Sequence, residues 1–163
     1  MFPEDIEALA RDVLEKARSK GLTIVTAESC TGGLIAGALT AIAGSSDVMD
    51  GGFVTYSNDA KAQMLGVPEA LIVEYGAVSA PVAQAMAQGA LKASGAGLAV
   101  SVTGIAGPGG GSADKPVGLV HFGLAMAGRP ALHREERFGV IGRQEVRLAS
   151  VRVALDMLAE SLG

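Results

Sequence analysis

Apolar residues recur at Ile6, Leu9, Ala10, Val13, Leu14 and Ala17, the spacing of one helix face, and stop at Lys20-Gly21, a basic last turn followed by a glycine. The pattern predicts a first helix. It then changes to the short, β-branched run Leu22-Thr23-Ile24-Val25-Thr26-Ala27, which predicts a strand. The polar and glycine-rich Glu28-Ser29-Cys30-Thr31-Gly32-Gly33 leads from that strand into a second helix at Leu34 to Leu39. After the Gly44-Ser45-Ser46-Asp47 loop, Gly52 to Ser57 predicts a second strand, followed by short helical pieces between Asp59 and Glu74. Ser79 is placed to cap a helix with Pro81 in its first turn, running to about Ser94. Leu98 to Thr103 is a buried-strand pattern feeding Gly104 to Gly111, and Val117 to Met126 with Ala131 to Phe138 predicts a hairpin turning at Gly128-Arg129-Pro130. Val146, Ala149, Ser150, Val153, Ala154, Met157 and Leu158 then predict a long amphipathic closing helix.

Strands alternating with helices over 163 residues imply one domain, residues 1–163. The expected architecture is a three-layer α/β/α sandwich around a mostly parallel mixed sheet with one antiparallel strand from the late hairpin. Ligands of such sheets bind beyond the carboxyl ends of the strands. The loops after Ala27, Ser57 and Thr103 are therefore the places to seek chemistry.

Composition narrows the class. An apolar fraction of 49% excludes a disordered chain. Seventeen acids against thirteen bases leave a net charge of −4, which gives no broad footprint for nucleic acid. No uninterrupted apolar run approaches the roughly 20 residues that span a bilayer, and acids at Glu4 and Asp5 stand where a leader would carry bases, so no membrane partner and a cytoplasmic location are expected. The single Cys30 and two separated histidines offer neither an internal disulfide nor a metal cluster, and His121 and His133 have no evident partner. Glycine, 23 of 163 residues, is about twice its usual share of about 7%. Tight turns and backbone-lined pockets follow.

Three polar clusters fall on the three strand ends. In the first, Ser29, Thr31, Gly32 and Gly33 precede a helix start, where unpaired N–H groups and the dipole favour an anion; on spacing alone the plainer reading, Ser29 or Thr31 as a helix cap, is preferred. In the second, Tyr56, Asn58 and Lys61 lie within six positions. Lys61 is either a solvated helix residue or, if burial lowers its pKa, a base able to activate Ser29 with Tyr56 beside it. In the third, Thr103 to Gly111 is either a surface loop or a nest of N–H groups for an anion or amide; it lacks the lysine of a P-loop and is not GxGxxG. Arg143 and Arg147 are four residues apart and can clamp a phosphate or pair with Glu135, Glu136 or Glu145. Cys30 is a rival nucleophile to Ser29.

Taken together and in order, Thr26 to Gly33, Gly52 to Asn58, Ala60-Lys61, Gly76-Ala77-Val78-Ser79, Thr103 to Pro108 and Lys115-Pro116-Val117-Gly118 resemble the CinA C-terminal domain family, the nicotinamide-nucleotide amidases, over nearly the whole chain. The resemblance implies hydrolysis of the carboxamide of nicotinamide mononucleotide to nicotinate mononucleotide and ammonia, in pyridine nucleotide recycling, without metal or organic cofactor. Longer relatives carry an additional N-terminal domain with no counterpart in this sequence, so only the amidase activity is expected. By resemblance Ser29 is the nucleophile, Lys61 the general base, Tyr56 their neighbour, Thr103 the residue at the reacting amide and Arg143 a ligand-binding residue. Thr31, Gly32, Gly33, Gly104 and Gly107 are expected to line the substrate site. Many relatives have Asp where this chain has Gly142, immediately before Arg143. A homodimer is expected. The competing readings are a non-catalytic nucleotide-binding module and an amidase that uses Cys30.

Overall fold

A computed structural model describes residues 1–163. Five strands, β1 (Ile24–Glu28), β2 (Met49–Val54), β3 (Leu98–Gly104), β4 (Leu119–Met126) and β5 (Leu132–Arg137), form one sheet in the order β2-β1-β3-β4-β5. β1 pairs in parallel with β2 and β3, while β4 is antiparallel to β3 and to β5. Only β4 therefore runs against the others, as expected from a hairpin appended to a parallel sheet.

Six helices cover the sheet: α1 (Glu4–Ser19), α2 (Leu34–Thr40), α3 (Asn58–Leu65), α4 (Glu69–Tyr75), α5 (Ala80–Ser94) and α6 (Arg143–Leu162). The apolar faces of α1, α2 and α6 pack on Ile24, Leu98, Val100, Val102, Val120, Phe122 and Leu124. On the opposite side α5, with Leu65 and Val67 at the end of α3, covers Val25, Ala27, Ala99 and Ala125. Alternate residues of each central strand thus feed opposite cores, which is why β1 and β3 are apolar on both faces and buried almost throughout. The edge strands β2 and β5 alternate in exposure, and β5 displays Arg134, Glu135, Glu136 and Arg137, charges that discourage further strand pairing.

Three local expectations need correction. β2 begins at Met49 and ends at Val54, three residues earlier than the apolar pattern indicated at either end, because an edge strand tolerates Asp50, Gly51 and Gly52. Thr55 to Ser57 instead form the turn into α3, whose cap is Ser57 accepting from Ala60 N–H at 3.0 Å. Ser79 occupies the N-cap position of α5 but its hydroxyl donates to the Gly76 carbonyl at 2.8 Å.

The contact between α3 and α5 needs a residue without a side chain. A Cβ on Gly89 would lie 1.9 Å from the Leu65 carbonyl oxygen, a backbone atom that cannot swing away. Gly89→Val is expected to destabilise the fold by roughly 1–3 kcal/mol through overpacking, lowering Tm in thermal denaturation.

Candidate functional site

The carboxyl ends of β1 and β3, the turn after β2 and the first residue of α6 enclose a cleft of about 270 Å³. Its lining includes Ser29, Cys30, Tyr56, Asn58, Lys61, Thr103, Gly104, Gly107 and Arg143. Residues from four distant parts of the chain are thereby united, including seven of those expected from sequence to bind or react: Ser29, Tyr56, Lys61, Thr103, Gly104, Gly107 and Arg143.

Lys61 lies in the first half of α3 and turns inward, only 1% exposed. Its Nζ stands 3.0 Å from Ser29 Oγ and donates to the Thr55 carbonyl at 2.9 Å. No carboxylate pairs with it. Desolvation pushes its pKa below the ordinary lysine value of 10.5, against a lesser opposing pull from Cys30. A buried amine with one N–H held by a carbonyl directs its lone pair, when neutral, at the neighbouring hydroxyl. The Cys30 thiol, by contrast, is pushed up to about 11, chiefly by burial. It is a small apolar group in this setting and a poor source of thiolate.

The turn after β1 is built on Glu28, a residue the sequence reading gave no role. Its carboxylate is 1% exposed and accepts from the Thr31 hydroxyl at 2.6 Å, the Ile35 N–H at 2.9 Å and the Ala36 N–H at 3.0 Å. The N-terminus of α2 is therefore occupied by the protein's own anion. Neither Ser29 nor Thr31 caps α2; Gly33 takes the N-cap position with no side-chain bond. Thr31, Gly32 and Gly33 lie outside the cleft lining, contrary to their expected place against substrate. An acid at the end of an otherwise apolar strand, just before a helix, was the available signal.

Thr103 reaches the cleft from β3, but its hydroxyl donates to the Ala77 carbonyl at 2.9 Å. Its oxygen consequently faces the cleft as an acceptor. Arg143 donates through Nη1 to the Gly107 carbonyl at 2.8 Å and through Nη2 to the Tyr56 hydroxyl at 2.7 Å. Arg147 donates to the carbonyls of Cys30 and Thr31, both at 3.1 Å. The two arginines engage different loops and do not clamp one ligand; nor do they pair with Glu135, Glu136 or Glu145. Gly142 starts α6 with φ 99° and no side-chain cap. The glycine-rich loop after β3 is pinned at Ile105, Gly118 and Ser112 by main-chain hydrogen bonds, so it is an ordered wall of the cleft. Its Ala106 and Gly107 N–H groups, like that of Cys30, have no acceptor within the chain. His121 and His133, expected to lack partners, face each other with Nδ1 and Nε2 2.8 Å apart.

A three-layer α/β domain with a buried amine against a serine hydroxyl, in a cleft walled by backbone N–H groups, has the parts of an acyl-transfer site. The chain belongs to the CinA C-terminal domain family, whose model matches residues 6–162. It is 49% identical to the nicotinamide-nucleotide amidohydrolase PncC of Escherichia coli (strain K12) over 97% of this chain and 95% of that protein. It is 52% identical to a CinA-like protein of Citrifermentans bemidjiense, with 99% of this chain matched but spanning only 39% of that longer relative. Among solved structures, the competence/damage inducible protein CihA of Agrobacterium tumefaciens superposes with a TM-score of 0.96 at 60% identity, covering 99% of this chain and 98% of that one. No helix is long and apolar enough to cross a membrane.

Burial of Lys61 has a measurable thermodynamic signature. With its folded pKa lowered, the folded state binds fewer protons than the unfolded state between that value and 10.5, so this group makes stability rise with pH across that window. Below the window it contributes a constant penalty. Lys61→Met is expected to stabilise the fold at pH 7 by about 1 kcal/mol, with the gain shrinking toward pH 10 in denaturant titrations.

Proposed function

We propose that this chain hydrolyses the carboxamide of nicotinamide mononucleotide to nicotinate mononucleotide and ammonia, with Ser29 as nucleophile and Lys61 as general base. The observation that carries the reading is the desolvated Lys61 amine 3.0 Å from the Ser29 hydroxyl inside the cleft. The relationship to the PncC amidohydrolases supports the substrate class.

Neutral Lys61 takes the Ser29 proton as Oγ attacks the carboxamide carbon, and the carbonyl π electrons pass to oxygen. Unpaired N–H groups of Cys30, Ala106 and Gly107 are the candidate donors to that oxyanion. Thr103, whose proton is held by Ala77, suits acceptance of a hydrogen bond from the substrate amide nitrogen better than the oxyanion role. On collapse the C–N bond breaks and ammonia leaves with a proton from the Lys61 ammonium. Tyr56, accepting from Arg143, keeps its own O–H to deliver or return a proton at the cleft mouth. Water, deprotonated by Lys61, then cleaves the Ser29 ester, releasing the acid and restoring the serine. The ribose phosphate extends toward Arg143 and the glycine-rich wall. The reading includes a cytoplasmic homodimer that uses no metal or organic cofactor and acts on a small nucleotide.

Ammonia release from nicotinamide mononucleotide should fall by at least about a thousandfold in Ser29→Ala and in Lys61→Ala, as for loss of a nucleophile or its base. Cys30→Ala should remain active and thiol alkylation should not inhibit. Retained turnover in Ser29→Ala, or loss in Cys30→Ala with the fold intact, contradicts the assignment. In the native protein kcat/KM should rise with pH through the lowered Lys61 pKa, since the protonated amine cannot accept the serine proton.

A further inference from the structure

The first two turns of α6 reach both walls of the cleft. Arg143 enters it, while Arg147, four residues on, ends against the turn that carries the nucleophile. Arg147 is half-buried, and its Nε and Nη2 fork across two successive carbonyls, those of Cys30 and Thr31. It makes no ion pair, whereas Arg11, Arg18, Arg134, Arg137 and Arg152 each hold a carboxylate. Gly32 lies beside the fork: a Cβ there would stand 3.4 Å from Arg147 Nη2, and its φ of 57° is a conformation that favours glycine.

The peptide planes translate this clamp into the cleft. The Ser29 carbonyl accepts from Gly32 N–H at 3.0 Å. In a trans peptide the N–H points opposite to the C=O, so the Cys30 N–H is directed away from the turn and has no acceptor of its own. The next two carbonyls are the ones that Arg147 holds. Glu28 fixes the far end of the same turn through Thr31 and α2. Without Arg147, the Cys30 carbonyl loses its one partner; the turn keeps the Ser29 N–H bond to Val102, the Gly32 and Leu34 bonds and the Glu28 tether, and the Cys30–Thr31 peptide between them is free to rock.

We infer that Arg147 is a positioning residue for the reaction, holding the nucleophile turn so that the Cys30 N–H faces the developing oxyanion. The inference rests on the Ser29–Lys61 reading above. A planar fork is required because the two carbonyls are separate acceptors; a lysine ammonium reaches one of them without fixing both. Removing an oxyanion donor outright costs roughly a hundredfold to a thousandfold in kcat, so loosening one should cost about tenfold to a hundredfold.

The test compares native protein with Arg147→Ala, Arg147→Lys and Ser29→Ala, using nicotinamide mononucleotide as substrate at a temperature where circular dichroism shows all four folded. Arg147→Ala should lose about tenfold to a hundredfold in kcat while KM changes little, and Arg147→Lys should recover only a small part. Added guanidinium ion at millimolar concentration should partly rescue Arg147→Ala but not Arg147→Lys. An Arg147→Ala kcat within twofold of native, an effect confined to KM, or a loss fully restored by Lys overturns the inference. If Ser29→Ala is inactive and Arg147→Ala unimpaired, the positioning role alone fails; turnover in Ser29→Ala removes the serine mechanism itself.

Discussion

A primary amine held out of water beside a hydroxyl is the constraint on which this molecule turns. Burying Lys61 costs free energy that an apolar residue at the same place would not, and the single carbonyl of Thr55 recovers only part of it. The fold tolerates the cost because α3 is locked in place from behind: Leu65 closes onto the bare backbone at Gly89, and Leu65 and Val67 seal the second core. Ser29 is held equally firmly, its N–H bonded to the Val102 carbonyl at 3.0 Å as a continuation of the sheet. Both side chains therefore stand on rigid elements, which is what the proposed proton transfer over one hydrogen-bond length demands.

The turn between β1 and α2 shows how the electrostatics of a helix start can be used internally. In phosphate-binding loops the exposed N–H groups of such a turn meet the ligand. Here Glu28 fills that position, and the positive end of α2 stabilises a carboxylate inside the protein. Arg143 and the glycine-rich segment after β3 line the other wall of the opening, which is where the proposed function puts the substrate's phosphate. α6 ties these walls together, with its two arginines contacting the turn, the glycine loop and Tyr56.

Much of this was legible in the sequence, for identifiable reasons. Long periodic segments such as α1, α5 and α6, and the continuous apolar runs of β1 and β3, announce themselves because burial on one or both faces leaves a regular imprint. The position of β2 was less legible, since an edge strand containing Asp50, Gly51 and Gly52 carries the composition of a turn. Ser29, Tyr56, Lys61, Thr103 and Arg143 were all singled out, and the structure gathers them in one cleft; their roles there are the proposal made above. Thr31, Gly32 and Gly33 were misplaced because helix-start composition cannot reveal that a side chain at Glu28 folds forward to claim the N–H groups of residues 35 and 36. The pairing of His121 with His133 was invisible for a similar reason. It depends on the β4–β5 register, in which Gly123 faces His133 and His121 faces Glu135.

The proposed reaction depends on the protonation state of one side chain. The chain has five lysines, Lys16, Lys20, Lys61, Lys92 and Lys115, few enough for their side-chain resonances to be followed individually by NMR in protein carrying labelled lysine. A pH titration, with Lys61→Met used to assign the signal, measures the amine directly. Lys61 is expected to lose its proton below the ordinary lysine value of 10.5. If Lys61 instead titrates at or above 10.5, the amine is an ordinary ammonium ion at working pH and cannot activate Ser29.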